Sequence, residues 1–205
     1  MLKNMIKQEH PKIFFLQETK CNSNTLGNIL SKAWSGCHSV VVDASGASGG
    51  LAITWNTQAI TLSNFHTSHN IIQAMFHIIG TNTHCHLTNV YFPQEAANKI
   101  ALLDTIEALN ANRAHPLWII GGDFNMITRL EEKTGGWPRL EQETDHFKEF
   151  IHNNMLIDMQ TSNGMHTWSN RRAGRHQIAS KLDRFLISDN AVHLGGDLST
   201  SILPY

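Results

Sequence analysis

Apolar and polar positions along this chain alternate in short blocks, and most of the blocks have the length of strands. Lys12-Ile13-Phe14-Phe15-Leu16 is a continuous apolar run, as a strand buried on both faces requires. Ser39-Val40-Val41-Val42-Asp43 and Leu51-Ala52-Ile53-Thr54-Trp55 flank a glycine-rich turn from Ser45 to Gly50, which predicts an antiparallel pair. Two more strands are predicted near Ala59–Phe65 and Ile71–Ile79. In the second, Ile72, Ala74, Phe76 and Ile78 alternate with more polar neighbours, so one face is buried. His84–Phe92 continues as a strand and stops at Pro93. Helical spacing then takes over, with Ile100, Leu103, Ile106 and Leu109 predicting a helix over Glu95–Arg113. Leu117-Trp118-Ile119-Ile120 is a further buried strand. A loop with Gly135, Gly136 and Pro138 leads to a helix around Glu141–Asn154, whose apolar stripe is Phe147, Phe150 and Ile151. Short strands at Leu156–Met159 and His166–Asn170 and a longer one at Ser180–Ser188 follow, and Met1–Lys7 reads as a polar helix. Many antiparallel strands with few helices predict an α+β, or layered α/β sandwich, fold.

Composition narrows the class. At 205 residues with 41% apolar and 16% charged positions, the chain suits one globular domain with a substantial core. No apolar run reaches the length of a membrane span, and the N-terminus lacks the apolar core of a signal peptide, so an intracellular protein without a membrane partner is expected. The three cysteines, Cys21, Cys37 and Cys85, fit neither a disulfide framework nor a zinc ribbon. A net charge of −1 means that any binding of nucleic acid must come from a local patch.

Three strand ends carry candidate chemistry. Glu18 follows the first buried strand, Asp123 and Asn125 follow Gly121-Gly122, and Asp183 lies in the last long strand. If the chain stays extended, Asp123 and Asn125 project to the same side. A hard cation such as Mg²⁺ takes one or two carboxylates and keeps its other positions for water and phosphate oxygens, which Glu18 and Asp123 could supply. An amide such as Asn125 donates to a phosphate oxygen without adding negative charge. The two glycines leave room for a substrate backbone. Each of these residues alone also fits a turn or a solvated strand end. Arg171, Arg172, Arg175, Lys181 and Arg184 form a cationic stretch in which Asp183 is the only acid. They are expected to clamp phosphates, with Trp168 beside them in the core. His84 and His86 share a strand face but lack further ligands at zinc spacing.

The order of these segments resembles a known family. Phe15-Leu16-Gln17-Glu18-Thr19-Lys20, Asn89-Val90-Tyr91-Phe92-Pro93, Gly121-Gly122-Asp123-Phe124-Asn125 and Lys181-Leu182-Asp183-Arg184-Phe185 are similar to successive motifs of the exonuclease III-like and abasic-site endonuclease superfamily. Glu131–Gly136, Leu156–Met159 and His166–Asn170 add a resemblance to the endonuclease domain of plant LINE-type retrotransposons. The resemblance implies a DNase I-like fold, with two mostly antiparallel sheets packed face to face and helices outside. It implies hydrolysis of phosphodiesters with Mg²⁺ or Mn²⁺, DNA as the substrate to be nicked, and a reverse transcriptase elsewhere in the same element. By motif, Glu18 takes the metal-binding role and Tyr91 supports the phosphate. Asp123 and Asn125 handle water and transition state, and Asp183 orients a catalytic histidine.

Two parts of the family pattern are not found. No Trp-Asn-x-Arg-Gly strand precedes Phe15, and no Ser-Asp-His follows Asp183, so terminal strands missing at both ends and impaired hydrolysis are expected. A nucleic-acid-binding remnant without catalysis and a phosphatase of the same fold remain alternatives. Nuclear action would suit a DNA substrate, but no lysine- and arginine-rich targeting run is present.

Overall fold

A computed structural model describes residues 2–46, 48–110, 117–137, 139–194 and 198–203. In chain order the elements are α1 (Leu2–Glu9), β1 (Ile13–Gln17), α2 (Ser23–Ala33), β2 (Cys37–Val42), β3 (Leu51–Asn56), β4 (Ile60–Ser68), β5 (Ile71–Ile78), β6 (His84–Tyr91) and α3 (Ala96–Asn110). They continue as β7 (Trp118–Asp123), β8 (Lys133–Thr134), α4 (Glu143–Asn153), β9 (Leu156–Asp158), β10 (Trp168–Ser169), β11 (Ala179–Ser180) and β12 (Asp183–Ser188). Two compact units divide the chain: Met1–Tyr91 with Trp118–Gly122, and Phe92–Leu117 with Asp123–Tyr205.

The first unit is a sandwich. One sheet has the order β1-β3-β2, and β4-β5-β6-β7 lie side by side in the other. Val42 pairs with Leu51 at the end of the β2–β3 ladder, so the glycine-rich turn closes the antiparallel pair expected from the sequence. Alternate residues of β3 serve two layers, which is why its sequence is apolar almost throughout. Trp55 meets Phe76 of the opposite sheet edge to face at 5.1 Å. Ala52, on the other face, packs against Leu26 and Leu30 of α2. On β5, Ile72, Ala74 and Phe76 are paired with Asn89, Leu87 and Cys85 of β6 in one register, and all six are buried. Helix α2 was not anticipated: polar residues fill its first turn, and its start is marked by Asn22, whose side chain accepts from the Thr25 amide at 2.9 Å.

The second unit mixes helices with short strands. Phe92, Phe124 and Phe147 form its aromatic centre, with successive ring centroids 5.2 Å apart. Helix α3 carries Leu103 and Ile106 inward as expected. It also buries Lys99, whose ammonium is held by Glu143 of α4 at 2.5 Å. The expected continuation of this helix to Arg113 and the position of Pro138 lie outside the described residues. β12 pairs with β9, and β10-β11-β8 form a small three-stranded sheet. The single strand expected over Ser180–Ser188 is broken at Lys181–Leu182, and the strand expected over His166–Asn170 shrinks to Trp168–Ser169. Among the described residues, no helix is long and apolar enough to cross a membrane.

Candidate active site

In the first unit the chain leaves β1 in a conformation that side chains normally avoid. Glu18 and Lys20 both have left-handed backbones, with φ of 49° and 52°. The segment is held by the glycine turn, where the Thr19 and Lys20 amides donate to the Gly50 and Gly49 carbonyls. Gly50 has φ 88°, which favours glycine, and a Cβ there would lie 2.3 Å from Thr19 Oγ1 and 3.3 Å from Ala44 Cβ. Such strain persists where surrounding structure imposes it, and it concentrates at functional sites. Its result here is an exposed Glu18 carboxylate that accepts from Tyr91 Oη at 2.8 Å, with Lys20 Nζ 3.9 Å away. Behind it, buried Asn89 donates to the Leu16 and Ala52 carbonyls and accepts from Gln17, which fixes β1, β3 and β6 together. Asn89 carries no role in the sequence reading; its signal was a polar residue amid the apolar face of a strand.

In the second unit Asp123 and Asn125 form a closed turn. Asp123 Oδ1 accepts from the Asn125 amide at 2.9 Å, and Asn125 adopts φ 50°, so the chain does not remain extended there. Asn125 Nδ2 donates to the Phe92 carbonyl at 2.8 Å, which leaves one of its two amide hydrogens for another acceptor. The Phe124 amide donates to the Leu182 carbonyl, and this ties the turn to the segment that carries Asp183. Thr167 positions that segment by accepting from the Leu182 and Asp183 amides. Sequence reasoning assigned Thr167 nothing, although it sits in one of the motif-like stretches.

Gly122 has a different function from the one its sequence suggests. A Cβ there would lie 2.0 Å from the Val90 carbonyl oxygen, so the residue is glycine because β6 comes too close, whatever the substrate does.

Two of the five expected phosphate clamps are corrected. The Arg184 guanidinium is wholly buried, bonded to Glu132 at 2.9 Å and Asp158 at 2.5 Å as well as to the Met126 and Lys181 carbonyls. Lys181 is buried against Asp158 at 2.9 Å. Neither can meet a phosphate, because both charges are already matched inside the protein. Arg171, Arg172 and Arg175 are exposed as expected. Trp168 is not in the core: it is 46% exposed.

Two carboxylates have shifted proton affinities. Crowding of the Asp183 carboxyl by protein atoms raises its pKa, although part of the side chain is open to solvent. The Thr167 hydroxyl, its own backbone amide and the Arg184 charge oppose the rise. For Glu132 burial acts in the same direction but is outweighed by the bonds and charge of Arg184 and by Thr128, so its pKa is lowered. A raised folded pKa contributes stability below the ordinary value of 3.8 that is lost as pH climbs through the folded value. Asp183→Asn is therefore expected to be more resistant to urea than the parent at neutral pH, with the gain vanishing near pH ~3. Equal midpoints at both pH values would show that the crowding has no energetic weight.

The donors suit a sparsely held magnesium-type ion better than a caged one. Glu18 offers one exposed carboxylate, and among the described residues no three His, Cys, Asp or Glu side chains gather into a metal-holding group. His84 and His86 do not form such a site either: the His84 ring lies 4.8 Å from that of His77, and His86 stacks on Trp118 at 5.8 Å.

Comparison with known proteins places this geometry. A family model described as Endonuclease/Exonuclease/phosphatase family matches residues 1–201. No curated protein matches the chain. Among solved structures, the endonuclease domain of TRAS1, a telomere-specific non-LTR retrotransposon, is similar at 18% identity and a TM-score of 0.70, covering 98% of this chain and 86% of that one. An AP endonuclease from Leishmania major aligns at 15% identity and a TM-score of 0.66, covering 92% of this chain and 73% of that one. A mannosyl-6-phosphatase from Bacteroides thetaiotaomicron VPI-5482 aligns at 15% identity and a TM-score of 0.62, covering 92% and 75%. The shared fold is DNase I-like, and the same scaffold carries nucleases and phosphatases.

Proposed function

We propose that this chain, which belongs to the endonuclease/exonuclease/phosphatase family, is a Mg²⁺- or Mn²⁺-dependent phosphodiesterase that nicks DNA. The observation that carries the reading is the hydrogen bond from Tyr91 to Glu18. Two motif residues 73 positions apart meet at 2.8 Å, with the carboxylate still exposed. Glu18 would hold the divalent cation, and the motif resemblance assigns Asp123 a carboxylate role toward metal as well. Once bound, the ion neutralises phosphate charge and lowers the pKa of water. Tyr91 orients the Glu18 carboxylate with its single phenolic hydrogen, and support of a phosphate oxygen, as the motif resemblance implies, would require that hydrogen to be handed over. Asn125 is locked at one amide hydrogen and has the other for the charge that develops on phosphate. Asp183 would, by the motif resemblance, orient a proton-transfer group as an ionised carboxylate.

The exposed arginines favour DNA over a small phosphate ester, since a row of guanidinium groups matches a polyanionic backbone. They also favour a second reading, nucleic-acid binding without hydrolysis. Supercoiled plasmid incubated with Mg²⁺ separates the possibilities. Metal-dependent nicking, reduced about 100-fold or more by Glu18→Gln and by Asn125→Ala, is the expected result. DNA retained on a filter with no nicking by any version would support the second reading. Release of inorganic phosphate from a monoester without nicking would instead support a phosphatase.

A further inference from the structure

Of the five tryptophans, three are buried and two are not: Trp137 is 85% exposed and Trp168 is 46% exposed. Exposed tryptophan is costly enough to be informative, because the indole loses more than most side chains when left in water. Both belong to the second unit, and both flank the arginine loop. Trp168 comes three residues before Arg171. Trp137 follows the Gly135-Gly136 turn, which is pressed so closely onto the far end of the loop that a Cβ on Gly135 would lie 1.9 Å from the Gln177 carbonyl oxygen.

The loop between them is organised. Asn170 accepts from the Arg172 and Ile178 amides and donates to the His176 carbonyl, so one side chain closes the loop on itself and fixes where its arginines emerge. Strand register adds the direction. Trp168 pairs with Ser180 and Ser180 pairs with Lys133, which places the three side chains on one face of the small sheet. Ser180 and Lys133 line a cavity of about 450 Å³ whose wall also includes Asn125, Gln94 and Arg139. Within this cavity Lys99 is paired to Glu143 and Arg139 to Glu141, and Lys133 is the cation outside an ion pair among the described residues.

We infer that Trp168 and Trp137 stack on unpaired bases of the DNA strand, with Arg171, Arg172 and Arg175 holding the phosphates between them. The inference rests on the DNA reading above and narrows its substrate. In an intact duplex each base face is covered by its neighbour, so an exposed indole can stack only where a base is unpaired or splayed. Guanidinium groups on the loop that the two tryptophans flank supply the charge complementarity that an apolar protein partner would not use. The chain should therefore prefer DNA that is single-stranded or locally unpaired over a closed duplex.

The test is a titration of the whole chain in chelator with an oligothymidylate and with a blunt duplex of equal length, read by tryptophan fluorescence and by anisotropy. Quenching by the single strand is expected to come from the two exposed indoles, since Trp34, Trp55 and Trp118 are buried. Trp168→Ala should weaken binding of the single strand about 10-fold and that of the duplex less than about 2-fold, with Trp168→Phe close to the parent. Trp137→Ala should act in the same direction. Arg171→Glu should weaken both ligands, as a phosphate contact must. If single strand and duplex bind alike and neither alanine variant differs from the parent, the stacking inference is overturned while the DNA reading survives. If neither DNA binds, both fall.

Discussion

Arg184→Met is expected to lower the stability of the fold by about 3–5 kcal/mol, read as a fall in the denaturant midpoint at neutral pH. The size follows from what the guanidinium leaves behind. Glu132, almost completely buried, would lose its opposite charge and keep only the Thr128 amide and hydroxyl, and the Met126 and Lys181 carbonyls would each lose a donor. Asp158 would keep Lys181 at 2.9 Å, so its loss is partial. Removing one charge from a buried pair costs more than removing both, because the orphan retains its desolvation penalty. The double variant Arg184→Met/Glu132→Met should consequently be less destabilised than the sum of the two single changes, and a double-mutant cycle measures the difference. Acid should act through the same carboxylate. The lowered Glu132 pKa contributes stability above the ordinary value of 4.5 that is lost as pH falls through the folded value. A shift of under ~1 kcal/mol for Arg184→Met would mean that the network is solvated in solution, and would reopen a role for Arg184 on phosphate.

Gly122→Ala is the second large effect, again about 3–5 kcal/mol, and its origin is steric. The added methyl would sit 2.0 Å from Val90 O and 3.0 Å from Val90 C, both of them backbone atoms that no rotamer change can move. The φ of 142° is a conformation open to glycine and strained for alanine. Relief requires β6 and β7 to separate, with loss of the Trp118 Nε1 to Thr88 bond that joins them at 2.9 Å. Near-ultraviolet circular dichroism of the tryptophans, together with thermal unfolding, would detect this. An alanine variant that melts like the parent would show that the strand has room to move. Gly121→Ala, in the same strand but without a positive φ, is the control for the backbone strain.

These two residues also show what the sequence could and could not reveal. The strands β3, β5, β6 and β7 were legible because each is covered on one or two faces, and burial writes itself into apolar runs and alternation. Glu18, Tyr91, Asp123, Asn125 and Asp183 were legible as ordered motifs. The left-handed backbone at Glu18 and Asn125 was not, because neither residue type requires it. Arg184 was misread because its partners, Glu132 and Asp158, lie 52 and 26 positions away, and the local stretch contains only cations and Asp183. Trp168 was expected in the core because its short strand has few other apolar residues, whereas the two-residue strand that carries it leaves it exposed. Ion pairing and surface aromatics are decided by tertiary neighbours, and periodicity carries no information about them.

The discontinuity of the first unit bears on how the protein is made. Met1–Tyr91 leaves the ribosome before Trp118–Gly122, yet that later segment supplies the strand beside β6. Until Phe92–Leu117 has been synthesised, a delay of about 1–5 s, the nascent sandwich has an open flank along β6. That flank is a row of unpaired amides and carbonyls ending at Tyr91, a template for pairing with the wrong chain. A translational pause inside Phe92–Leu117 would lengthen this exposure, so synonymous codon choice in that stretch should alter the soluble yield without changing a single residue.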